Sequence, residues 1–402
     1  MNRLKSGRKI FAICWVSYVA AYLCRVNFSS AMLKFEADMG VQPVMLGLSG
    51  GVFFTVYAAG QLINGFIGDK VAPHKFLIVA SLGTFAVNAV IAFQNNFYIV
   101  ICCWAFNGYF QSMFWGPMTR LLSRHFSEDK RANVSAGMQS TVFAGYVLSW
   151  VALGRALLSQ SWRWYFIIPS AVMACISAVW IYISAKAKNK AEYRMPSQKI
   201  SESIKAVRGE KITPLVLLCV CLGLVKDSLA FWMPVILVKA FQIEIEDSFL
   251  PIFLVTLANL AGIMISRSLA IKYMHKTGVI LKMLFGLVIA GSAIIFASSR
   301  LSPLVAVAGV AAVSAACNGL SVILLSFIPL SFTDKGIVSS IVGVLDFSSY
   351  AGAAISSFAL GLLFVGMNWD IVPVIWIAVG IIAFALCGMI KARNTPGKEI
   401  GC

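Results

Sequence analysis

One long apolar segment carries an arginine near its centre. In SYVAAYLCRVNFSSAML, residues 17–33, Arg25 stands at a depth where the surrounding residues predict hydrocarbon. Even on a lenient insertion scale, a charge at that depth costs about 2.5–3.5 kcal/mol. On a helix, one face would carry four polar side chains, those of Tyr18, Tyr22, Arg25 and Ser29. We therefore expect that face to look into protein or a water-filled cavity, not into lipid.

A second apolar segment offers a similar polar stripe, and a third offers a second cation. Asn107, Gln111 and Trp115 follow one another at four-residue spacing and share a helical face. Lys226 lies in a later apolar segment at a depth similar to that of Arg25. Two buried cations with phenols and amides around them suit an anion, and the arginine fork suits phosphate or carboxylate oxygens. The candidates for substrate binding in these three segments are Tyr18, Tyr22, Arg25, Asn107, Gln111, Trp115 and Lys226.

Two acids in apolar segments complicate this picture. Asp346 precedes Ser349 and Tyr350 by about one helical turn, and Asp227 directly follows Lys226. Either acid could pair with a buried cation, contact the substrate or carry a coupling proton, and the sequence leaves these roles open. If Asp346 neutralises Lys226, less positive charge remains for a dianion. A monoanion or a zwitterion would then be favoured.

The elements that must position these residues are predicted to be membrane-spanning helices. The chain has 402 residues, of which 59% are hydrophobic and 12% charged, whereas soluble domains carry about 25% charged residues. A span needs about 20 apolar residues, and the sequence contains twelve such segments. We therefore predict an all-α integral membrane protein with twelve transmembrane helices, at residues 10–33, 45–67, 75–94, 97–121, 134–158, 164–185, 213–241, 248–270, 278–298, 302–331, 337–365 and 371–391.

The net charge of +17 reports topology rather than a nucleic-acid partner. Most Lys and Arg residues fall in the two tails and in the loops that lead from even-numbered to odd-numbered spans. The opposite side receives Lys34, Arg155, Arg163, Lys239 and Arg300. By the positive-inside rule, both termini are expected in the cytoplasm. We separately expect the protein in the cytoplasmic (inner) membrane of a bacterium.

The longest polar stretch divides the chain into two halves. We predict an N-terminal six-helix half at residues 1–185, a cytoplasmic linker at 186–211 and a C-terminal six-helix half at 212–402. The halves resemble each other weakly, with Arg25 and Lys226 at similar depths in the first and seventh spans. Duplicated halves related by pseudo-twofold symmetry are typical of transporters, with the substrate site between them at the midplane.

The turn after the second span, GFIGDKVAPHK, has the spacing of a known motif. Its Gly65, Asp69, Lys70 and Lys75 resemble the loop motif of the major facilitator superfamily. We interpret it as a cytoplasmic gate, in which the acid caps or pairs at a neighbouring helix end and the lysines hold the cytoplasmic side.

The first, fourth and seventh spans together resemble the organophosphate:phosphate antiporter family within that superfamily. The residues that carry the resemblance are Tyr18, Tyr22, Arg25, Asn27, Phe28, Asn107, Gly108, Phe110, Gln111, Trp115, Pro117, Arg120, Lys226, Trp232 and Pro234. The resemblance implies the major facilitator fold, a monomer, and exchange of an organic phosphate for inorganic phosphate by alternating access. It also implies that one cation on the first span and one on the seventh grip the phosphoryl group.

The sequence departs from that family at three positions. Lys226 replaces an arginine, which keeps the charge but loses the bidentate geometry. Thr141 and Val26 stand where the glycerol-phosphate carriers have a histidine and a base. Glycerol phosphate itself is therefore a weaker expectation than phosphate as the recognised group.

Other function classes are disfavoured or remain as alternatives. The main alternative is a proton-coupled symporter of a carboxylate or amino-acid-like substrate, coupled through Asp346 or Asp227, and a non-transporting sensor of a sugar phosphate is a further one. The sequence has no P-loop, nucleophile constellation or metal-ligand spacing, so we expect no enzyme, cofactor or metal site. The expected partners are a small anionic substrate and the lipid bilayer.

Overall fold

The structure is a computed structural model, and over the residues that it describes it contains helices and no strands. Those residues are 2–68, 71–126, 128–186, 212–273, 276–298, 302–332, 338–366 and 369–390. Their helical segments combine into twelve rods, numbered α1–α12 in chain order. Nine helices in these ranges are individually long and apolar enough to cross a membrane. The predicted fold class is confirmed, and the chain is a multi-pass membrane protein.

Six rods form the N-terminal half. They are α1 Asn2–Met39, α2 Pro43–Gly68, α3 Pro73–Ala92, α4 Phe97–Gln111 with a second part Trp115–His125, α5 Glu128–Tyr146 continued by Val147–Leu153 and Gly154–Ala156, and α6 Trp164–Lys186. Six more form the C-terminal half. They are α7 Thr213–Val235 continued by Ile236–Ala240, α8 Phe249–Lys272, α9 Thr277–Ser298, α10 Pro303–Val322 continued by Ile323–Phe327 and Ile328–Leu330, α11 Val338–Val365, and α12 Ile371–Cys387.

Each apolar segment becomes a helix because hydrocarbon offers its backbone no other hydrogen-bond partner. Proline opens α3 and α10 at the first helical positions, where its missing N–H costs nothing. Asn96 caps α4, since its side-chain oxygen accepts a 2.9 Å hydrogen bond from the backbone N–H of Tyr98. Residue types in the sequence therefore account for the starting points of these three helices.

The fourth rod, which was predicted as a span over residues 97–121, is broken in the structure. Its first part ends at Gln111 and its second begins at Trp115. Pro117 accounts for the break, because proline donates no hydrogen bond and its ring clashes with the carbonyl four residues earlier, that of Met113. The break lies at the depth of the polar stripe.

Three rods contain a wider, π-helical turn. These turns are Val147–Leu153 in α5, Ile236–Ala240 in α7 and Ile323–Phe327 in α10. Pro234 lies just before the second turn and Pro329 just after the third, so a missing backbone donor accompanies two of the three. Such turns are frequently found at functional sites.

The two halves meet along pairs of rods, of which α2 with α11 is the most extensive. The backbones approach most closely at two glycines. A Cβ atom added to Gly361 would lie 2.8 Å from the Cα of Gly47 and 2.8 Å from the carbonyl oxygen of Pro43. Only a residue without a side chain permits this approach, which is how small residues serve helix packing in membranes.

Contacts between the halves continue at the end of the bundle where α1 ends and α2 begins. There Lys239 of α7 donates a hydrogen bond to the Glu36 carboxylate of α1 in an ion pair. Deeper in the bundle, Ser29 Oγ donates a 2.6 Å hydrogen bond to the carbonyl of Phe231, and the rings of Phe28 and Phe231 stack at 5.7 Å. Side chains of both halves thus close this end, which lies opposite the start of α1.

Parts of two predictions fall outside the described residues. In the predicted gate motif, Asp69 and Lys70 lie outside them, whereas Gly65 belongs to α2 and Lys75 to the first turn of α3, where it is exposed. The cytoplasmic gate therefore stays a prediction. The same holds for the linker at 186–211, of which the structure describes residue 186.

The contact between Gly47 and Gly361 predicts a stability defect. We expect Gly361→Ala to cost about 1–3 kcal/mol, because the added methyl group meets backbone atoms that cannot move aside. Thermal unfolding of the purified protein in detergent measures this. Gly286→Ala is the matched control, since a Cβ atom there meets nothing within 4 Å in helix α9. Equal unfolding temperatures for the two variants would contradict the packing argument.

Candidate anion-binding cavity

A cavity of about 200 Å³ lies between the two halves. Rods of the N-terminal half contribute Tyr18, Tyr22 and Arg25 from α1, Tyr57 from α2, Trp115 from α4 and Tyr146 from α5. Rods of the C-terminal half contribute Lys226 and Asp227 from α7, Asn318 from α10, and Asp346 and Tyr350 from α11. The volume is below the range of about 300–1,000 Å³ that is typical for drug-sized ligands, so it suits a small molecule.

Arg25 is surrounded by aromatic rings from both halves. Its guanidinium carbon lies 4.5 Å from the ring centre of Tyr57, 5.4 Å from that of Tyr350 and 5.6 Å from that of Tyr22. Its Nη2 atom donates a 3.2 Å hydrogen bond to the hydroxyl of Tyr350. The faces of these rings attract the cation and replace part of its lost hydration.

No carboxylate among the described residues lies within ion-pair distance of Arg25. Its direct contacts are therefore the dipoles and ring faces around it, and the charge of Asp227 acts on it from beyond ion-pair distance. Charge-assisted hydrogen bonds to an anion are about twice as strong as neutral ones. A small anion in the cavity would meet a cation whose fork is partly unused.

Lys226, by contrast, is paired. Its Nζ atom lies 3.4 Å from each carboxylate oxygen of Asp227, which is itself 7% exposed. The two residues are neighbours in the sequence, and the structure brings their charged ends together across the 100° that separates their positions on α7. The pair leaves little net charge at this side of the cavity.

Asp346 also reaches the cavity wall, one turn of α11 before Tyr350. Within the described part of the chain, its carboxylate makes no hydrogen bond or direct ion pair, although the charges of Lys226 and Asp227 act on it. Asp227, not Asp346, is thus the acid that pairs with Lys226. The carboxylate oxygens of Asp346 therefore remain available to accept hydrogen bonds from a molecule in the cavity.

A continuous set of aromatic side chains forms one part of the wall. Tyr18 lies against Tyr22 and Trp115, with ring centres 5.3 Å apart in both pairs. Tyr22 meets Tyr146 edge to face at 5.7 Å, and Tyr146 stacks on Trp150 at 4.4 Å. Three of the predicted residues, Tyr18, Tyr22 and Trp115, therefore belong to one surface.

Asn107 and Gln111 do not line the cavity. Asn107 Nδ2 donates a 2.9 Å hydrogen bond to the carbonyl of Cys24, and Gln111 Nε2 donates a 3.0 Å hydrogen bond to that of Ala21. Both are buried, and both fix α4 against the backbone of α1. Their positions support a role in holding the arginine-bearing rod, and we leave them out of the proposed site.

Two tyrosines that contact Arg25 were not among the predicted site residues. Tyr57 lies in an apolar stretch of α2 with no charged neighbour to attract attention. Tyr350 stands four residues after Asp346, and that spacing was the available signal, because residues four apart share a helix face. In the described residues, no group of three or more His, Cys, Asp or Glu side chains could hold a metal ion.

Two six-helix halves around a central polar cavity define a membrane transporter. A family model described as Major Facilitator Superfamily matches residues 14–357, and the chain belongs to that superfamily. That superfamily is one of membrane transporters and not of enzymes. The fold agrees with that of a bacterial homologue of the human lysosomal transporter Spinster, in an inward-facing and occupied conformation. The TM-score is 0.74 at 13% identity, over 97% of this chain and 99% of the other.

Curated relatives match parts of the chain. A probable hexose phosphate transport protein of Chlamydia trachomatis is 27% identical over 175 residues, 44% of this chain and 38% of the relative. The glycerol-3-phosphate transporter of Bacillus subtilis is 25% identical over 175 residues, 42% and 39% of the two chains. The D-galactonate transporter of Escherichia coli is 22% identical over 186 residues, 46% and 43%. Each match spans less than half of the relative. The resemblance found from sequence is confirmed.

The hydrogen bond between Arg25 and Tyr350 predicts a binding defect. We expect Tyr350→Phe to weaken binding of inorganic phosphate about three- to tenfold, or about 0.7–1.4 kcal/mol, because the guanidinium loses the hydroxyl that orients it while the ring remains. Quenching of tryptophan fluorescence, with Trp115 and Trp150 in the cavity wall, measures the affinity. Tyr98→Phe is the control, since Tyr98 is 68% exposed on α4. Unchanged affinity in Tyr350→Phe would count against the orienting role.

Proposed function

We propose that the protein is a secondary active transporter that exchanges an organic phosphate for inorganic phosphate by alternating access. One observation carries the proposal: Arg25 lies between the two halves with ring faces and a hydroxyl around it and no described acid in contact. The relatives named as hexose phosphate and glycerol-3-phosphate transporters support phosphate as the recognised group.

The geometry suggests how binding couples to movement. Arg25 belongs to the N-terminal half, and Tyr350, to which it donates a hydrogen bond, belongs to the C-terminal half. A phosphoryl group that accepts from the remaining guanidinium N–H groups of Arg25, while Tyr350 keeps the guanidinium in place, and that also contacts Lys226 would form a new link between the halves. The free energy of binding would then favour the arrangement of the two halves in which both cations contact the phosphoryl group.

Lys226 enters this scheme as the second cation. A phosphoryl group that approaches it competes with Asp227 for the ammonium, whose distance of 3.4 Å to both carboxylate oxygens is long for an ion pair. Lysine offers a point charge that can follow a moving anion, whereas arginine offers a fixed fork.

We further propose how the protein is oriented in its membrane, on the basis of the distribution of Lys and Arg along the sequence. Both termini would face the cytoplasm of a bacterium, the closed end with Glu36 and Lys239 would face outward, and the cavity would exchange with the cytoplasm. Each monomer would contain a complete site, because the cavity is built from one chain.

Exchange in proteoliposomes tests the function. We expect uptake of labelled phosphate to require unlabelled phosphate inside, and Arg25→Ala to reduce it at least about a hundredfold, the loss of about 2.7 kcal/mol that a charged hydrogen-bond donor represents. Arg25→Lys should retain part of the exchange, because the charge stays and the fork is lost.

Arg155→Ala is the matched control, because Arg155 is exposed at the end of α5, away from the cavity. The proposal fails if phosphate exchange is absent in a preparation that transports another anion, or if Arg25→Ala exchanges phosphate as fast as Arg155→Ala does.

A second candidate is a proton-coupled symporter of a carboxylate. Two observations favour it: Asp346 faces the cavity without a direct cationic partner in the described residues, and one relative is named as a D-galactonate transporter. An acid in that position could carry a proton with each substrate.

The second candidate predicts uptake driven by an inward proton gradient. Under it, D-galactonate or another small carboxylate should accumulate when the outside is acidic, and Asp346→Asn should abolish accumulation while exchange at equal pH continues. Internal pH, followed with a trapped dye, reports proton entry. Accumulation that does not depend on the gradient would remove this candidate.

A further inference from the structure

We infer that the cavity selects a zwitterionic phosphate: a phosphoryl group at Arg25 joined by a short chain to an ammonium group at Asp346. This inference rests on the proposed function and names the substrate class of the same site. It starts from the charges of the cavity wall. Among the described lining residues, the charged ones are Arg25, Lys226, Asp227 and Asp346, so the formal charges sum to zero.

A neutral wall matches a phosphate ester that carries its own cation better than one that does not. Asp227 pairs with Lys226, so Arg25 is left as the cation with unused capacity. A dianionic ester would place two negative charges against it, with the further negative charge of Asp346 close by. Charges removed from water need partners, and an unpaired one is expensive. An ammonium group on the substrate would supply the missing partner.

The positions of Arg25 and Asp346 suit the two ends of a small molecule. Tyr350 links them: its hydroxyl accepts from Arg25, and Asp346 precedes it by four residues on α11. The four residues from Asp346 to Tyr350 correspond to a rise of about 6 Å along the helix axis. The cavity of about 200 Å³ suits a short molecule.

The aromatic wall adds a second source of attraction for a cation. Tyr18, Tyr146 and Trp150 line the cavity, and none of them is among the rings that lie closest to Arg25. Ring faces attract ammonium groups, with a strength of about 0.5–2 kcal/mol that grows as water is removed. A neutral polyol chain, such as that of a sugar phosphate, would gain nothing from this charge attraction.

The test compares two probes that differ in one group. Phosphoethanolamine carries an ammonium where 2-hydroxyethyl phosphate carries a hydroxyl. We expect the protein to bind phosphoethanolamine at least about tenfold more tightly, the factor that 1.4 kcal/mol represents, by quenching of tryptophan fluorescence. Asp346→Asn should reduce this preference to about threefold or less, and Asp346→Glu should retain part of it.

The ratio of the two affinities is measured within one preparation, so the fraction of folded protein cancels. Ser348→Ala is the matched control: Ser348 is buried on the same helix, its hydroxyl donates to the carbonyl of Val344, and it does not line the cavity. It should keep the full preference.

The outcomes separate this inference from the proposed function. Arg25-dependent phosphate exchange with equal binding of the two probes overturns the inference and leaves the proposed function standing. Preferential binding of phosphoethanolamine without phosphate exchange supports the substrate class and contradicts the exchange. An unchanged preference in Asp346→Asn overturns the assignment of the ammonium to that carboxylate.

Discussion

The charge of Arg25, held between two halves of a membrane protein, is the constraint on which the rest of the cavity depends. Tyr57 and Tyr350 provide the nearest ring faces, and they belong to α2 and α11, the two rods that pack most extensively across the halves. The environment of the arginine is therefore complete only while these rods stay together. The close approach of Gly47 and Gly361 keeps them together, so a packing feature at one end of the bundle supports the electrostatics at its centre.

The two cations of the cavity are not equivalent, although their sequence positions in the two halves correspond. Lys226 has an acid beside it in the chain and in space, whereas Arg25 has hydroxyl and ring contacts. A neutralised lysine is stable when the cavity is empty, and an arginine among aromatic rings tolerates either an empty or an occupied cavity. In the proposed site, the N-terminal half would supply a cation without an ion-pair partner among the described residues, and the C-terminal half would supply a cation that must first leave Asp227.

Most of the fold could be predicted from the sequence, because twelve long apolar segments in a bilayer have no alternative to helices. The sequence also identified Arg25, Lys226 and Asp346, since an ionisable side chain stands out in an apolar segment. It could not show that Asn107 and Gln111 hold α1 by its backbone carbonyls, because spacing places a side chain on a face and does not say what that face meets. Tyr57 was missed for a related reason: in sequence a tyrosine is ordinary, and only packing brings its ring 4.5 Å from a guanidinium.

The π-helical turns of α5, α7 and α10 give these rods a property that a regular helix lacks. Each such turn holds one residue more than an α-helical turn, and that residue corresponds to a rotation of about 100° and a rise of about 1.5 Å. If the π-helical turn moves along the rod, the part of the rod that it crosses rotates relative to the rest. Nearly every backbone hydrogen bond is broken and formed again in the process. Trp150 lies in one of these turns and Lys239 in another, so a cavity residue and a residue of the closed end could be re-aimed in this way. A rod with such a turn could rotate internally as well as tilt as a whole. In the proposed transport cycle, access could then change without the two halves moving as rigid bodies.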